Sequence, residues 1–227
     1  GVDIYKKGWI AAIDGDNRET FVESFETFSD IARRTDLELV VIDIPIGLPA
    51  VGHRLADVEA RQMLKSRACC VFSAPLRPLL ECDTYDKAST RRNELEGKRC
   101  SRQAFSIIPK IRSVDDLLAT DMGLRERVKE GHPEVTFAVM NGEQAISVSK
   151  HKGEGRGLRL ALLRKWFGAE VLAGVAKLKY PAEDVIHAYA MLWTARRVFN
   201  HDPALRTFPH GPAPVDPVTG IPMQITA

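Results

Sequence analysis

The run Val40-Val41-Ile42-Asp43-Ile44-Pro45-Ile46-Gly47-Leu48-Pro49 constrains this chain more than any other stretch. β-Branched residues lead to one carboxylate and are then stopped by Pro, Gly and Pro, the pattern of a short strand buried on both faces. Such strands belong to α/β sheets covered by helices, and Asp43 then falls at the strand's C-terminal end, where open sheets place their ligands. A carboxylate at that depth is costly unless something pairs with it. Amides of the turn around Pro45-Ile46-Gly47 would satisfy it without any function, and a ligand would satisfy it with one.

The segments before this run read as three strands on tight turns. They are Gly1–Ile4, Trp9–Ile13 after Lys6-Lys7-Gly8, and Thr20–Phe25 after Asp14-Gly15-Asp16-Asn17. Consecutive strands so closely spaced form an antiparallel meander. Ser29 is positioned to cap a helix reaching Arg34, and Leu37–Ile42 follows as the fourth strand, parallel to a neighbour because a helix intervenes. Further on, His53–Lys65, Thr84–Lys98, a patch from Val114 to Leu118, Gly157–Phe167 and Glu183–Val198 read as helices, Ser66–Pro78 as a loop and Glu134–Met140 as a strand. The last 28 residues hold six prolines and read as irregular, with Ile221–Ile225 as an edge strand.

With 227 residues, 44% of them hydrophobic, and no shift of composition along the chain, one α/β domain over 1–227 is expected, with a helical, basic insertion at about 75–130. Charge is nearly balanced, 32 Lys and Arg against 30 Asp and Glu, so any polyanion site must come from local clustering. The adjacent Cys69 and Cys70, with Cys82 and Cys100 apart, form neither a zinc-finger spacing nor a disulfide framework. No apolar run approaches the roughly 20 residues of a membrane helix, and no signal-peptide layout opens the chain. A cytoplasmic protein without membrane contact is expected, and its oligomeric state is left open. The start at Gly1-Val2-Asp3, on a strand and without Met, suggests that a short leader precedes it.

If the first and fourth strands are neighbours and parallel, Asp3 and Asp43 converge at one end of the sheet. Two like charges that close do not both stay ionised without a cation, and Mg²⁺ or Mn²⁺ is the natural occupant. Gly1-Val2-Asp3 with Gly8-Trp9, Ile42–Pro49, Val71-Phe72-Ser73-Ala74-Pro75, Ser101-Arg102-Gln103-Ala104-Phe105 with Pro109-Lys110-Ile111, and His132-Pro133-Glu134-Val135 resemble the domain-of-unknown-function 429 family. Ser149-Lys150 with Gly155-Arg156 and the helix from Glu183 extend the likeness over nearly the whole chain. The resemblance implies a ribonuclease-H-like mixed five-stranded sheet flanked by helices, and a metal-dependent nuclease activity. Matched position by position, it makes Asp3 and Asp43 the two strand carboxylates, Glu134 the acid of a His-Pro-Glu motif and Asp184 an acid of the last helix. The chain departs from the family at Ile4-Tyr5, where Gly-Cys is common, and at His187, where a second helix Asp is usual. Asp184 and His187, three apart on a helix, share a face, and a His can ligate a metal or carry a proton.

Two basic clusters complete the reading. Lys87, Arg91, Arg92, Lys98, Arg99, Arg102, Lys110 and Arg112 face only Glu94 and Glu96 within their segment, and Lys150, Lys152, Arg156, Arg159, Arg164 and Lys165 surround Glu154. Such excess suits phosphate contacts, although a solvated helix face has the same composition. The expected site therefore comprises Asp3, Asp43 and Asp184 as metal ligands, Glu134 as ligand or water-orienting base and His187 in support. Ser101, Arg102, Gln103, Lys110, Lys150 and Arg156 are expected on the DNA or RNA substrate. The rival readings are a nucleic-acid or protein-binding module with a decayed site, and a phosphotransferase on the related actin-like fold.

Overall fold

Why do Asp3 and Asp43 end up side by side? The computed structural model of the protein, which describes residues 1–15, 19–175 and 179–227, answers through strand register. β1 (Val2–Tyr5), β2 (Gly8–Asp14) and β3 (Thr20–Phe25) form the expected antiparallel meander. Asp16 and Asn17 of the expected second turn lie outside the described residues, and the flanking Gly15 amide donates to the Glu19 carbonyl at 2.8 Å. β4 (Val40–Ile42) runs parallel to β1 with Val2 opposite Ile42, and the Asp43 amide donates to the Val2 carbonyl at 2.9 Å. The next residue on each strand is an aspartate.

The sheet order is β3-β2-β1-β4-β5, a ribonuclease-H-like mixed sheet. The fifth strand is β5 (Val128–Glu130), parallel to β4, rather than Glu134–Met140. That segment is a helix, α6 (Pro133–Met140), once α1 (Phe28–Ala32), α2 (Leu55–Leu64), α3 (Tyr85–Glu96), α4 (Arg102–Thr120) and α5 (Met122–Arg127) have preceded it. Its first six residues are all buried, so it lacks a polar stripe and its apolar run mimics a buried strand. His132 caps it and Pro133 opens it, both helix-start chemistry. α7 (Gly153–Val175), which contains a non-helical Gly168, and α8 (Ala182–Phe199) follow.

Several expected boundaries move for local reasons. α1 is capped by Thr27, not Ser29, in a reciprocal capping box with Asp30. α4 begins long before Val114 and runs through Pro109, because Ala104, Ile108, Ile111, Val114 and Leu118 form one buried stripe that outweighs the lost hydrogen bond. Residues 66–78 are not wholly irregular, since 3₁₀ turns occupy Lys65–Cys70 and Arg77–Glu81. Near the C-terminus, Pro222 limits Ile221–Ile225 to an isolated bridge with Val215, and a short pair forms instead between β6 (Thr207–Phe208) and β7 (Ile225–Thr226).

One sheet face, with Val2, Trp9, Val40 and Ile42, packs with α1 and α4. The other, with Ile10, Ala12 and Val41, packs under α8. α8 approaches so closely that a Cβ on Gly131 would lie 2.6 Å from Met191 Sδ, which leaves glycine as the residue that fits there. Because side chains alternate along strands, Asp3 and Asp43 point to the α8 face while Glu130, opposite Ile42, points away from it. All four cysteines are unpaired, and no described helix is long and apolar enough to cross a membrane.

Candidate functional site

β1 presents Asp3 from within the strand, Asp43 directly follows the C-terminal end of β4, and α8 brings His187 to both. One ligand atom from each of the three lies within 4.8 Å of the others. Asp3 is buried and oriented from both sides: Oδ1 accepts from the Ile4 amide at 2.7 Å and Oδ2 meets His187 Nδ1 at 3.1 Å. The Asp43 carboxylate receives no hydrogen bond among the described residues. The turn amides that could have satisfied it are spent elsewhere, Ile46 N–H on Glu130 at 2.6 Å and Leu48 N–H on Asp216 at 2.6 Å.

The electrostatics follow. Loss of solvent, and then the charge of Asp3, push Asp43 up to about 8, against the pull of His187 and Lys150. Burial would lower His187, but the hydrogen bond and charge of Asp3 outweigh it and hold the imidazole above its ordinary value. Asp184, one turn before His187 and half-buried, is raised by burial and by the Asp3 charge. It stands outside the group of three, so the histidine takes the place in the cluster that the sequence assigned to Asp184.

These residues fit a divalent cation. Two carboxylates face each other with one of them unpartnered, and His187 Nε2 is buried without any hydrogen-bond partner. A positive ion would relieve the repulsion that raises Asp43. Two hard oxygens with one imidazole suit Mn²⁺ as well as Mg²⁺, the nitrogen shifting preference toward the transition ion.

The cluster forms the floor of a cavity of about 550 Å³. Around it lies a buried ionic scaffold that no spacing in the sequence announces. Arg54 donates to both Glu130 oxygens at 2.6 Å and to Asp57, and Asp57 also accepts from the Ala74 amide at 2.9 Å. Burial lifts Glu130 to about 7 and Arg54 pulls it back, while the guanidinium itself is held firmly charged. This fork ties the loop after β4 to α2 and to the end of β5, and so fixes the backbone that carries Asp43. Gly47, with φ of +74° and Ile221 and Met223 each 3.0 Å from where its Cβ would be, completes the turn.

The remaining expected site residues divide. Glu134 lines the cavity, but Arg159 takes both of its oxygens, at 2.8 and 2.5 Å, and holds the carboxyl below its usual range in spite of burial. Gln103 and Lys150 also line it, Lys150 paired with Glu183 at 2.9 Å. Ser101 is exposed and caps α4. Arg102 stacks on Tyr85 with its guanidinium 4.4 Å from the ring, and Lys110 lies over Trp9 and donates to the Lys7 carbonyl. Arg156 is exposed and stands apart from the cavity wall. Much of the first basic cluster is self-paired, Arg92 with Glu96 and Arg91 with Glu94, both at 3.3 Å. His132, drawn down to about 4 by burial, is a neutral cavity residue that touches the Cys70 carbonyl at 3.2 Å.

Fold and cluster together define an α/β protein whose ribonuclease-H-like sheet carries, on two adjacent parallel strands, the two aspartates of an Asp-Asp-His group. The chain belongs to the family described as "Protein of unknown function (DUF429)", whose family model matches residues 1–213. Neither the comparison with curated proteins nor that with solved structures returned a match.

Proposed function

We propose that this protein is a metal-dependent phosphodiester hydrolase acting on nucleic acid in the cytoplasm. The observation that carries the reading is the convergence of Asp3, Asp43 and His187 within 4.8 Å on the floor of one cavity. Asp3, Asp43 and His187 would hold Mg²⁺ or Mn²⁺, with Asp184 beside them. A bound ion supplies charge for the phosphoryl oxygens and activation of water.

The protein's own groups prepare that chemistry. Asp3 is locked in orientation by the Ile4 amide and His187, so no side-chain freedom is lost when a ligand arrives. Asp43, raised to about 8 by burial and by the charge of Asp3, is poised to hold a proton that a bound cation would displace. Lys150, half-buried at the cavity wall, is paired with Glu183 and adds to the positive charge of that wall. Glu134, locked to Arg159, supports the wall and is not free to take a proton. Unpaired thiols suit a reducing compartment.

A second reading has one observation of its own: His187 Nδ1, 3.1 Å from Asp3, already gives one carboxylate a partner within the protein, as in a binding module that has given up its metal. Titration calorimetry of Mn²⁺ into the wild type and into Asp43→Asn separates the two. Saturable binding lost in the variant, with metal-dependent cleavage of a nucleic-acid substrate lost at the same time, is expected. Absence of binding to the wild type overturns the hydrolase and favours the module.

A further inference from the structure

The cavity wall holds a guanidinium that has no carboxylate partner among the described residues. Two arginines and one lysine line this cavity, Arg54, Arg67 and Lys150. Arg54 is committed to Glu130 and Asp57. Arg67, in the 3₁₀ turn Lys65–Cys70, makes only one side-chain contact among the described residues, a 3.1 Å approach of its Nη2 to Cys70 Sγ. A thiol is a weak acceptor, and burial raises the Cys70 pKa so that it stays a thiol. The Arg67 Nε is buried and has no partner at all. The third basic group at the wall besides Arg54, Lys150, is occupied by Glu183. Arg67 is therefore the cavity's uncommitted fork of donors, the geometry that fits a phosphate.

Five residues on, Phe72 also lines the cavity and is 52% exposed. A half-exposed aromatic ring in the wall of a cavity that also holds an uncommitted Arg and an acid cluster offers a face on which a base stacks. An anion cannot approach Asp3 and Asp43 unless a cation lies between, so a phosphate ester must bridge the metal end and Arg67. A cavity of about 550 Å³ is of the size that encloses one small ligand, and a base paired in a duplex cannot enter such a pocket unless it is extruded.

Resting on the metal-dependent hydrolase reading, we infer that Arg67 and Phe72 form the recognition wall for one unpaired nucleotide, Arg67 on the phosphate and Phe72 on the base. That nucleotide is either free or the exposed unit of a single strand. Both residues lie outside the Asp-Asp-His cluster.

The test is a set of calorimetric titrations in the presence of Mn²⁺, with wild type, Arg67→Met and Phe72→Ala. A nucleoside 5′-monophosphate, inorganic phosphate, a single-stranded tetranucleotide and a blunt duplex are the probes. Phe72→Ala is expected to weaken the nucleotide about tenfold and leave inorganic phosphate unchanged. Arg67→Met is expected to weaken both by tenfold or more, and Mn²⁺ affinity is expected to stay within twofold in each variant. Tetranucleotide binding tighter than the monophosphate assigns a strand terminus or extruded unit, and equal binding assigns the free nucleotide. Nucleotide affinity unchanged in both variants, or a duplex that binds as tightly as the single strand, overturns the inference. Wild type that binds Mn²⁺ but no nucleotide overturns it and leaves the metal centre standing. If Mn²⁺ itself fails to bind, the hydrolase reading falls, and the same nucleotide titrations without metal decide on Arg67 and Phe72. Unchanged melting temperatures of the two variants exclude a folding defect.

Discussion

Asp43 is the residue on which the site's chemistry turns. Its ordinary pKa is about 4, and in the folded protein it stands at about 8. Between those values the native state holds a proton that the unfolded chain has released, so the stability of the ion-free protein falls as pH rises through the window. The penalty is complete above pH 8 and absent below about 4. His187 acts in the same direction: with its pKa raised, its contribution is present below the unfolded value near 6.5 and is lost as pH climbs through the folded one. A divalent cation must displace these protons. Binding of Mn²⁺ at pH 7 is therefore expected to release at least about one proton, read from calorimetric enthalpies in buffers of different ionisation heat. Zero proton release would show that Asp43 is already ionised without metal.

Glu134 supplies the contrasting residue. As the partner of Arg159 it is structural, and Glu134→Gln is expected to cost about 2–3 kcal/mol by leaving a buried guanidinium poorly paired, measured as a shift of the urea midpoint. Turnover of the folded variant should fall less than tenfold. A loss of about 10²-fold or more would instead make Glu134 a general base.

At the scale of elements, the site depends on three segments meeting: β1 with the end of β4, α8 packed on them, and the α2 side that holds the loop after β4. The last junction is ionic. Arg54 is buried with its donors spread over Glu130, Asp57 and the carbonyls of Ile46 and Gly47. Arg54→Met fills similar space but strands two carboxylates, and is expected to destabilise by about 3–5 kcal/mol, read in chemical denaturation. Replacing the arginine together with Glu130 and Asp57 by apolar residues should recover much of that loss, because an unpaired buried charge costs more than the missing pair.

For the whole molecule, metal binding is a stability effect. An ion that binds the folded state alone contributes about 2.7 kcal/mol at 100 times its dissociation constant. For a chain of 227 residues that corresponds to a rise in melting temperature of about 5–10 °C. Mn²⁺ is expected to produce this shift in wild type and not in Asp43→Asn, with Mg²⁺ giving the smaller rise because of the imidazole donor. Equal shifts in both proteins would place the bound ion elsewhere.

By itself the sequence determined the sheet's meander, the position of Asp43 at a strand end and the amphipathic helices, since these arise from side-chain alternation and local turn chemistry that a linear chain displays directly. The convergence of Asp3 with Asp43 was legible only on the condition that the first and fourth strands are neighbours, because an intervening helix makes a strand parallel to a neighbour without choosing which one. It did not reveal that Glu134 heads a helix, since a short segment buried on all sides has no period by which helix and strand differ. Nor could it tell that Arg54 and Arg67 enter the cavity wall and Arg159 is buried against Glu134, while Arg102, Lys110 and Arg156 stay outside. Each is an arginine or lysine among many, and which of them lose solvent depends on how α2, α4 and α7 pack. That His187 rather than Asp184 closes the cluster was likewise decided by tertiary structure, because the way α8 packs on the sheet chooses which residue of that turn meets Asp3.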